Sequence, residues 1–139
     1  RTVLKAFESF DAPVILPAHP RTCKMIEQIN EEEHLQNTIC VEPIGYLEML
    51  YFTKNSVKVV TDSGGLQKEA YILNTPCVTL REQTEWVETL NGNHNVLAHI
   101  DEADILDKVN NTVISKEKAN YYGAGDAAEK LVKVIMEEA

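Results

Sequence analysis

The chain has 139 residues, 44% of them apolar and 25% charged, and carries a formal net charge of −9. That is one ordinary domain, long enough to bury a core, with a soluble protein's composition and no apolar run near the ~18 residues that span a bilayer. An isoelectric point near 4.9 argues against nucleic acid or an anionic membrane as partner, because both select clustered Lys and Arg. A phosphorylated ligand stays possible, since a helix N-terminus binds phosphate without net positive charge.

In chain order, Arg1 to Lys5 has neither an initiator Met nor the apolar stretch of a signal peptide, and reads as a cut inside a longer protein or a processed end. Residues 2–10 set Val3, Leu4, Phe7 and Phe10 on one helical face, and residues 13–16 read as a strand. Residues 20–30 predict a helix opened by Pro20, with Met25, Ile26 and Ile29 inward. Residues 38–41 predict a strand, 46–53 a helix and 57–61 a third strand. Ser63-Gly64-Gly65 is the turn into a helix over 66–73, and 77–80 and 95–98 are further strands. Asp101 caps a helix over 102–113. A short helical stretch near 116–120 and a turn at Gly123 and Gly125 lead to an amphipathic helix over 126–138. Strands alternating with helices imply right-handed crossovers and a Rossmann-like parallel sheet covered on both faces, in a single domain over 1–139.

Cys23, Cys40 and Cys77 stand far apart with no C-x-x-C pair, which reads as reduced thiols in a cytoplasmic protein rather than a disulfide framework or zinc site. No metal is expected, because His34, His94 and His99 lack partners at ligand spacing and read as surface or structural residues. No cofactor motif is present in the sequence either.

Open parallel sheets bind ligands at the carboxyl ends of their strands, and three informative segments fall there. In Thr61-Asp62-Ser63-Gly64-Gly65-Leu66-Gln67-Lys68-Glu69-Ala70, paired glycines let a ligand approach the backbone, and the amides at the helix start favour an anion. Glu69 leans back toward that site and offers two acceptor oxygens, which suit a ribose diol, although a tight turn with a solvated glutamate fits the spacing equally well. In the second segment His19 and Arg21 flank Pro20 where a strand hands over to a helix; a capping or loop role for His19 competes with a catalytic one. The third is Arg81 to Glu88, where Thr84 reads as a helix cap and Arg81 as a phosphate contact or a partner of Glu85. Trp86, the only tryptophan, reads as core, interface or ligand wall.

Together and in order, His19-Pro20-Arg21, Glu42-Pro43 with Tyr46-Leu47, the Thr61–Ala70 block, Pro76, Arg81 with Thr84-Glu85, and Tyr122-Gly123-Ala124-Gly125 resemble the non-hydrolysing UDP-N-acetylglucosamine 2-epimerases. The resemblance covers nearly the whole chain and implies the C-terminal half of a two-domain, GT-B-type enzyme. That family inverts C2 of the sugar by eliminating UDP and adding it back, with its acids and bases in the N-terminal domain. The implied partners are UDP or UDP-N-acetylglucosamine and that N-terminal domain, in a homodimeric full-length enzyme; no nucleic acid, membrane or cofactor is implied. Carried across, Ser63, Gly64, Gly65 and Glu69 hold diphosphate and ribose, with Arg21 and Arg81 as further UDP contacts. Pro43, Ile44 and Met49 lie near uracil, His19 is a catalytic candidate near the diphosphate, and Thr84, Glu85 and Trp86 line the edge. The chain departs from the family's pattern at Trp86, where Arg is common, at Arg21-Thr22 and at Lys68. A GT-B glycosyltransferase domain and a hydrolysing 2-epimerase are the alternatives. The chain alone, lacking the acids and bases, is expected to be inactive.

Overall fold

A computed structural model describes residues 1–138; only Ala139, the last residue of the expected domain, lies outside them. Helices α1 (Thr2–Glu8), α2 (Pro20–Glu33), α3 (Tyr46–Asn55), α4 (Gly64–Leu73), α5 (Glu102–Asn111) and α6 (Ala127–Glu138) alternate with strands β1 (Val14–Pro17), β2 (Thr38–Val41), β3 (Val59–Thr61), β4 (Cys77–Thr79) and β5 (Asn95–Leu97). Every strand pairing is parallel, as the α/β alternation requires.

The ladders form two sheets rather than one: β1 pairs with β2, and β3-β4-β5 form the other. No ladder joins β3 to β1 or β2 among the described residues; apolar side chains fill the seam instead. Val3, Phe10 and Val60 pack against both the cluster of Leu4, Phe7 and Ile26 and the cluster of Ala6, Val78, Ala98 and Ile105. Complete burial of Ile105, on the α5 face that meets α1, contributes roughly 1.5–3 kcal/mol.

Pro20 takes the first position of α2, where its missing N–H costs nothing, and His34 ends the helix in the left-handed conformation. Ile26 of α2 is buried but Met25 is 56% exposed, against the expected inward face. Asp101 caps α5 by accepting from the Asp104 amide at 3.0 Å, as its position predicts.

Two local expectations give way to tertiary contacts. Residues 116–120 are not helical. The segment is pinned to the body instead: the Tyr71 hydroxyl donates to Ala119 O at 2.7 Å, and the Lys118 ammonium donates to Ile72 O at 2.9 Å. Conversely, Val87–Asn93 winds into a 3-10 helix that no periodicity announces, broken at Asn91 and at Gly92, where φ is +66°.

The cysteine reading is also corrected. Cys23 and Cys40 form a disulfide, with Cα atoms 5.6 Å apart, and Cys77 is free and buried. Sequence distance hides the pair because α2 carries the chain back across the face of β1 and β2. No helix among the described residues is long and apolar enough to cross a membrane.

Candidate functional site

The segments singled out in the sequence follow the carboxyl ends of four strands. His19 and Arg21 follow β1, Pro43 and Ile44 follow β2, Ser63 to Glu69 follow β3, and Arg81 to Trp86 follow β4. That placement is where a parallel α/β fold collects ligand-binding loops.

The best-built part lies at the start of α4. Gly64 and Gly65 are already the first helical turn, not a turn ahead of it, and Ser63 is the N-cap. The Ser63 side chain makes no capping hydrogen bond; instead the Ser63 amide donates to Thr61 Oγ1 at 3.0 Å, which fixes how the chain enters the helix. A first helical turn leaves its amides unpaired, and here no side chain among the described residues takes them up. The positive end of the helix is therefore presented with a free hydroxyl beside it.

Space above Gly64 is tight. A Cβ there would come 2.7 Å from Glu85 Oε1 and 3.0 Å from Trp86 Nε1, so glycine is what lets the Glu85-Trp86 segment close over the helix start. Glu85 Oε1 therefore lies beside Gly64, and Arg81 holds the other carboxylate oxygen at 3.3 Å. Trp86 Nε1 is buried with no hydrogen-bond partner, and Lys68 Nζ stands 3.9 Å from the centre of the indole ring. Arg81, Glu82, Gln83, Thr84 and Glu85 line an open concavity of about 370 Å³.

Thr84 is not a helix cap. Its Oγ1 accepts from the Trp86 amide at 3.1 Å and donates to Gln67 Oε1 at 2.6 Å, closing a local turn and tying that turn to α4. Glu69, half-buried one turn further along α4, makes no hydrogen bond or ion pair to another described residue. Both its oxygens are available.

His19 is the N-cap of α2: its Nδ1 accepts from the Arg21 amide at 3.3 Å. That puts the proton of the neutral ring on the exposed Nε2. Arg21 and Pro43 are exposed, whereas Ile44 and Met49 are half-buried. No hydrogen bond or ion pair among the described residues ties His19, Arg21, Pro43, Ile44 or Met49 to the Ser63–Glu69 segment. The structure thus joins Ser63, Gly64, Arg81, Thr84, Glu85 and Trp86 in one cluster and leaves the β1 and β2 loops as separate walls. Sequence reasoning missed Gln67, which is fully buried beneath that cluster. An uncharged polar side chain on the helix face it shares with Ala70 and Tyr71 was its only signal.

A model of the UDP-N-acetylglucosamine 2-epimerase family matches residues 1–136. The chain belongs to the UDP-N-acetylglucosamine 2-epimerase family. Within it, the chain is 41% identical over 137 residues to the UDP-N-acetylglucosamine 2-epimerase homolog of Methanococcus maripaludis, covering 96% of this chain and 38% of that protein. It is 38% identical over 126 residues to the UDP-2,3-diacetamido-2,3-dideoxy-D-glucuronate 2-epimerase of Pseudomonas aeruginosa, covering 89% of this chain and 35% of that protein. The crystal structure of the Methanocaldococcus jannaschii UDP-GlcNAc 2-epimerase in complex with UDP-GlcNAc and UDP aligns with a TM-score of 0.78 at 33% identity, covering 98% of this chain and 39% of that one. The chain therefore spans less than half the length of these epimerases, and its fold is that of the part it matches.

Proposed function

We propose that this chain is the UDP-binding half of a 2-epimerase that interconverts UDP-N-acetylglucosamine and UDP-N-acetylmannosamine by eliminating UDP and adding it back. The observation that carries the reading is the N-terminus of α4, which no side chain caps: two glycines and the free Ser63 hydroxyl, with the unpartnered Glu69 carboxylate one turn on. Diphosphate oxygens meet the amides and the hydroxyl, and the ribose diol meets Glu69. Pro43, Ile44 and Met49 form the uracil wall. Arg81 draws Glu85 aside as the diphosphate arrives, and His19 Nε2 and Arg21 face the anion from the β1 loop.

Gripping UDP stabilises the leaving group, while abstracting and returning a proton at C2 falls to further acids and bases. Those belong to an N-terminal domain supplied by the rest of the polypeptide, in a homodimeric enzyme. We place the enzyme in the cytoplasm, where nucleotide-activated sugars are made. The similarity to the P. aeruginosa enzyme favours a second reading of the sugar, since a domain that reads UDP leaves the sugar to its neighbour.

Calorimetric titration with UDP and UMP, repeated for Ser63→Ala and Glu69→Ala, tests the proposal. UDP binding that weakens by about 1–3 kcal/mol in each variant is the expected result. The same sample should show no epimerase turnover. Failure of UDP to bind even after the N-terminal domain is added back would overturn the reading. For the full-length enzyme, product analysis with both sugars separates epimerisation from hydrolysis to the free sugar.

A further inference from the structure

Gln67 has no exposed surface although it is polar, and it belongs to a buried network that no part of the UDP reading uses. Its Oε1 accepts two hydrogen bonds, from Thr84 Oγ1 at 2.6 Å and from Asn95 Nδ2 at 3.2 Å. Asn95, also buried, is fixed in turn: its Oδ1 accepts from Thr79 Oγ1 at 2.7 Å and its Nδ2 donates to Thr89 Oγ1 at 3.0 Å. Thr89 Oγ1 then donates to Trp86 O at 2.6 Å, and the Trp86 amide donates to Thr84 Oγ1 at 3.1 Å. Both backbone polar groups of Trp86 are thus held by hydroxyls whose other hydrogen bonds lead to Gln67, directly or through Asn95.

The directions of these bonds agree, and Gln67 Nε2 is the one amide group of the network buried with no partner among the described residues. Thr84 has one proton, given to Gln67, and a lone pair that takes the Trp86 amide; a hydroxyl can do both at once. Removing the Gln67 carbonyl would strand the Thr84 proton and one Asn95 donor inside the protein, which costs more than the bonds themselves contribute. The relief open to the chain is for residues 81–86 to swing outward and reach water, because Arg81, Glu82, Gln83 and Glu85 are already exposed.

We infer that Gln67 is a positioning residue, which holds the Arg81–Trp86 arm closed over the start of α4 and so sets the geometry of the diphosphate subsite without touching the ligand. The second half of that statement rests on the UDP reading above; the first does not. With the arm closed, Trp86 Nε1 and the Glu85 carboxylate lie against Gly64. With it open, Arg81 and the indole N–H leave the helix end, and a diphosphate keeps only the backbone amides and Ser63.

Trp86 is the only tryptophan, so its emission reports the arm and nothing else. Emission maximum, acrylamide quenching, thermal unfolding and UDP affinity are measured on the chain and on Gln67→Leu, Thr84→Val, Thr84→Ser and Ile105→Val. Gln67→Leu and Thr84→Val should red-shift the emission, expose the indole to quencher and weaken UDP by about tenfold while still unfolding cooperatively. Thr84→Ser, which retains the hydroxyl, should recover both readouts. Ile105→Val lowers stability from a core position remote from the network and should move neither readout, which separates positioning from loss of fold. An unmoved tryptophan in Gln67→Leu overturns the inference, whatever happens to UDP. Should the unaltered chain bind no UDP, the tryptophan series still decides whether Gln67 holds the arm, and it is the UDP reading that falls.

Discussion

Two side chains, Cys77 and Tyr122, contribute to a fall in stability at alkaline pH. Burial pushes the Cys77 thiol up to about 11, partly offset by its contact with Thr79. Burial, and then a 2.8 Å hydrogen bond from its hydroxyl to Glu88 Oε1, holds Tyr122 well above the ordinary tyrosine range. In the unfolded chain both groups return to their usual values, about 8.5 for Cys and 10 for Tyr. Above those values the folded state retains protons that the unfolded state has released, so stability is complete below about pH 8.5 and declines as pH rises. For Cys77 the loss is on the order of 3 kcal/mol once the pH has passed 11. Melting temperatures across pH 8–11.5 should drop steadily, and Tyr122→Phe should flatten the part above about pH 10. At this scale the sequence was legible where structure is local: Ser63, the glycines and Glu69 share one strand-to-helix connection, so spacing put them at the start of α4, while leaving a ligand contact and a solvated glutamate equally open. Gln67 was not legible, because its partners Thr84 and Asn95 lie 17 and 28 residues away and only packing brings them together.

Among elements, the Cys23–Cys40 bond ties the first turns of α2 to the end of β2. It therefore joins the two connections that carry His19 and Arg21 on one side and Pro43 and Ile44 on the other. Closing a loop of 17 residues removes entropy from the unfolded chain worth roughly 3 kcal/mol. Urea unfolding with and without reductant should differ by about that amount, and Cys23→Ser should reproduce the reduced protein. Thiol titration in denaturant should find one free cysteine before reduction and all three after it; three at the outset would mean that the bond does not form. Helices and strands were otherwise well marked, because each has a clear apolar period and its own start signal. Where marking failed, long-range contacts had replaced local preference. Residues 116–120 trade a helix for anchorage to Tyr71 and Ile72, and the 3-10 helix at Val87–Asn93 supplies Thr89 to the buried network around Asn95. Splitting of the sheet was equally invisible, since alternating strands and helices specify parallel pairing but not whether β1 and β3 share a ladder or only a core.

For the molecule as a whole, the apolar stripe of α6 raises a question that its amphipathic pattern already posed. Leu131, Val132 and Ile135 form a stripe with i, i+1 and i+4 spacing, flanked by Val134 and Met136, and all five are at least half exposed. An apolar helical face of that kind carries a hydration cost that association removes. Since the chain covers only 38% of its M. maripaludis relative, the remainder of such an enzyme is one surface that could cover it. Left alone at high concentration, copies of the chain should cover it for one another. Sedimentation velocity from micromolar to near-millimolar protein should show reversible association, weakened strongly by the double change Leu131→Asp and Ile135→Asp. Because neither side chain is buried, that variant should melt within about 0.5 kcal/mol of the parent. A chain that stays monomeric throughout would mean that α6 hides its stripe against its own body in solution. The double variant would then lose stability instead of association, and the same pair of measurements would show it.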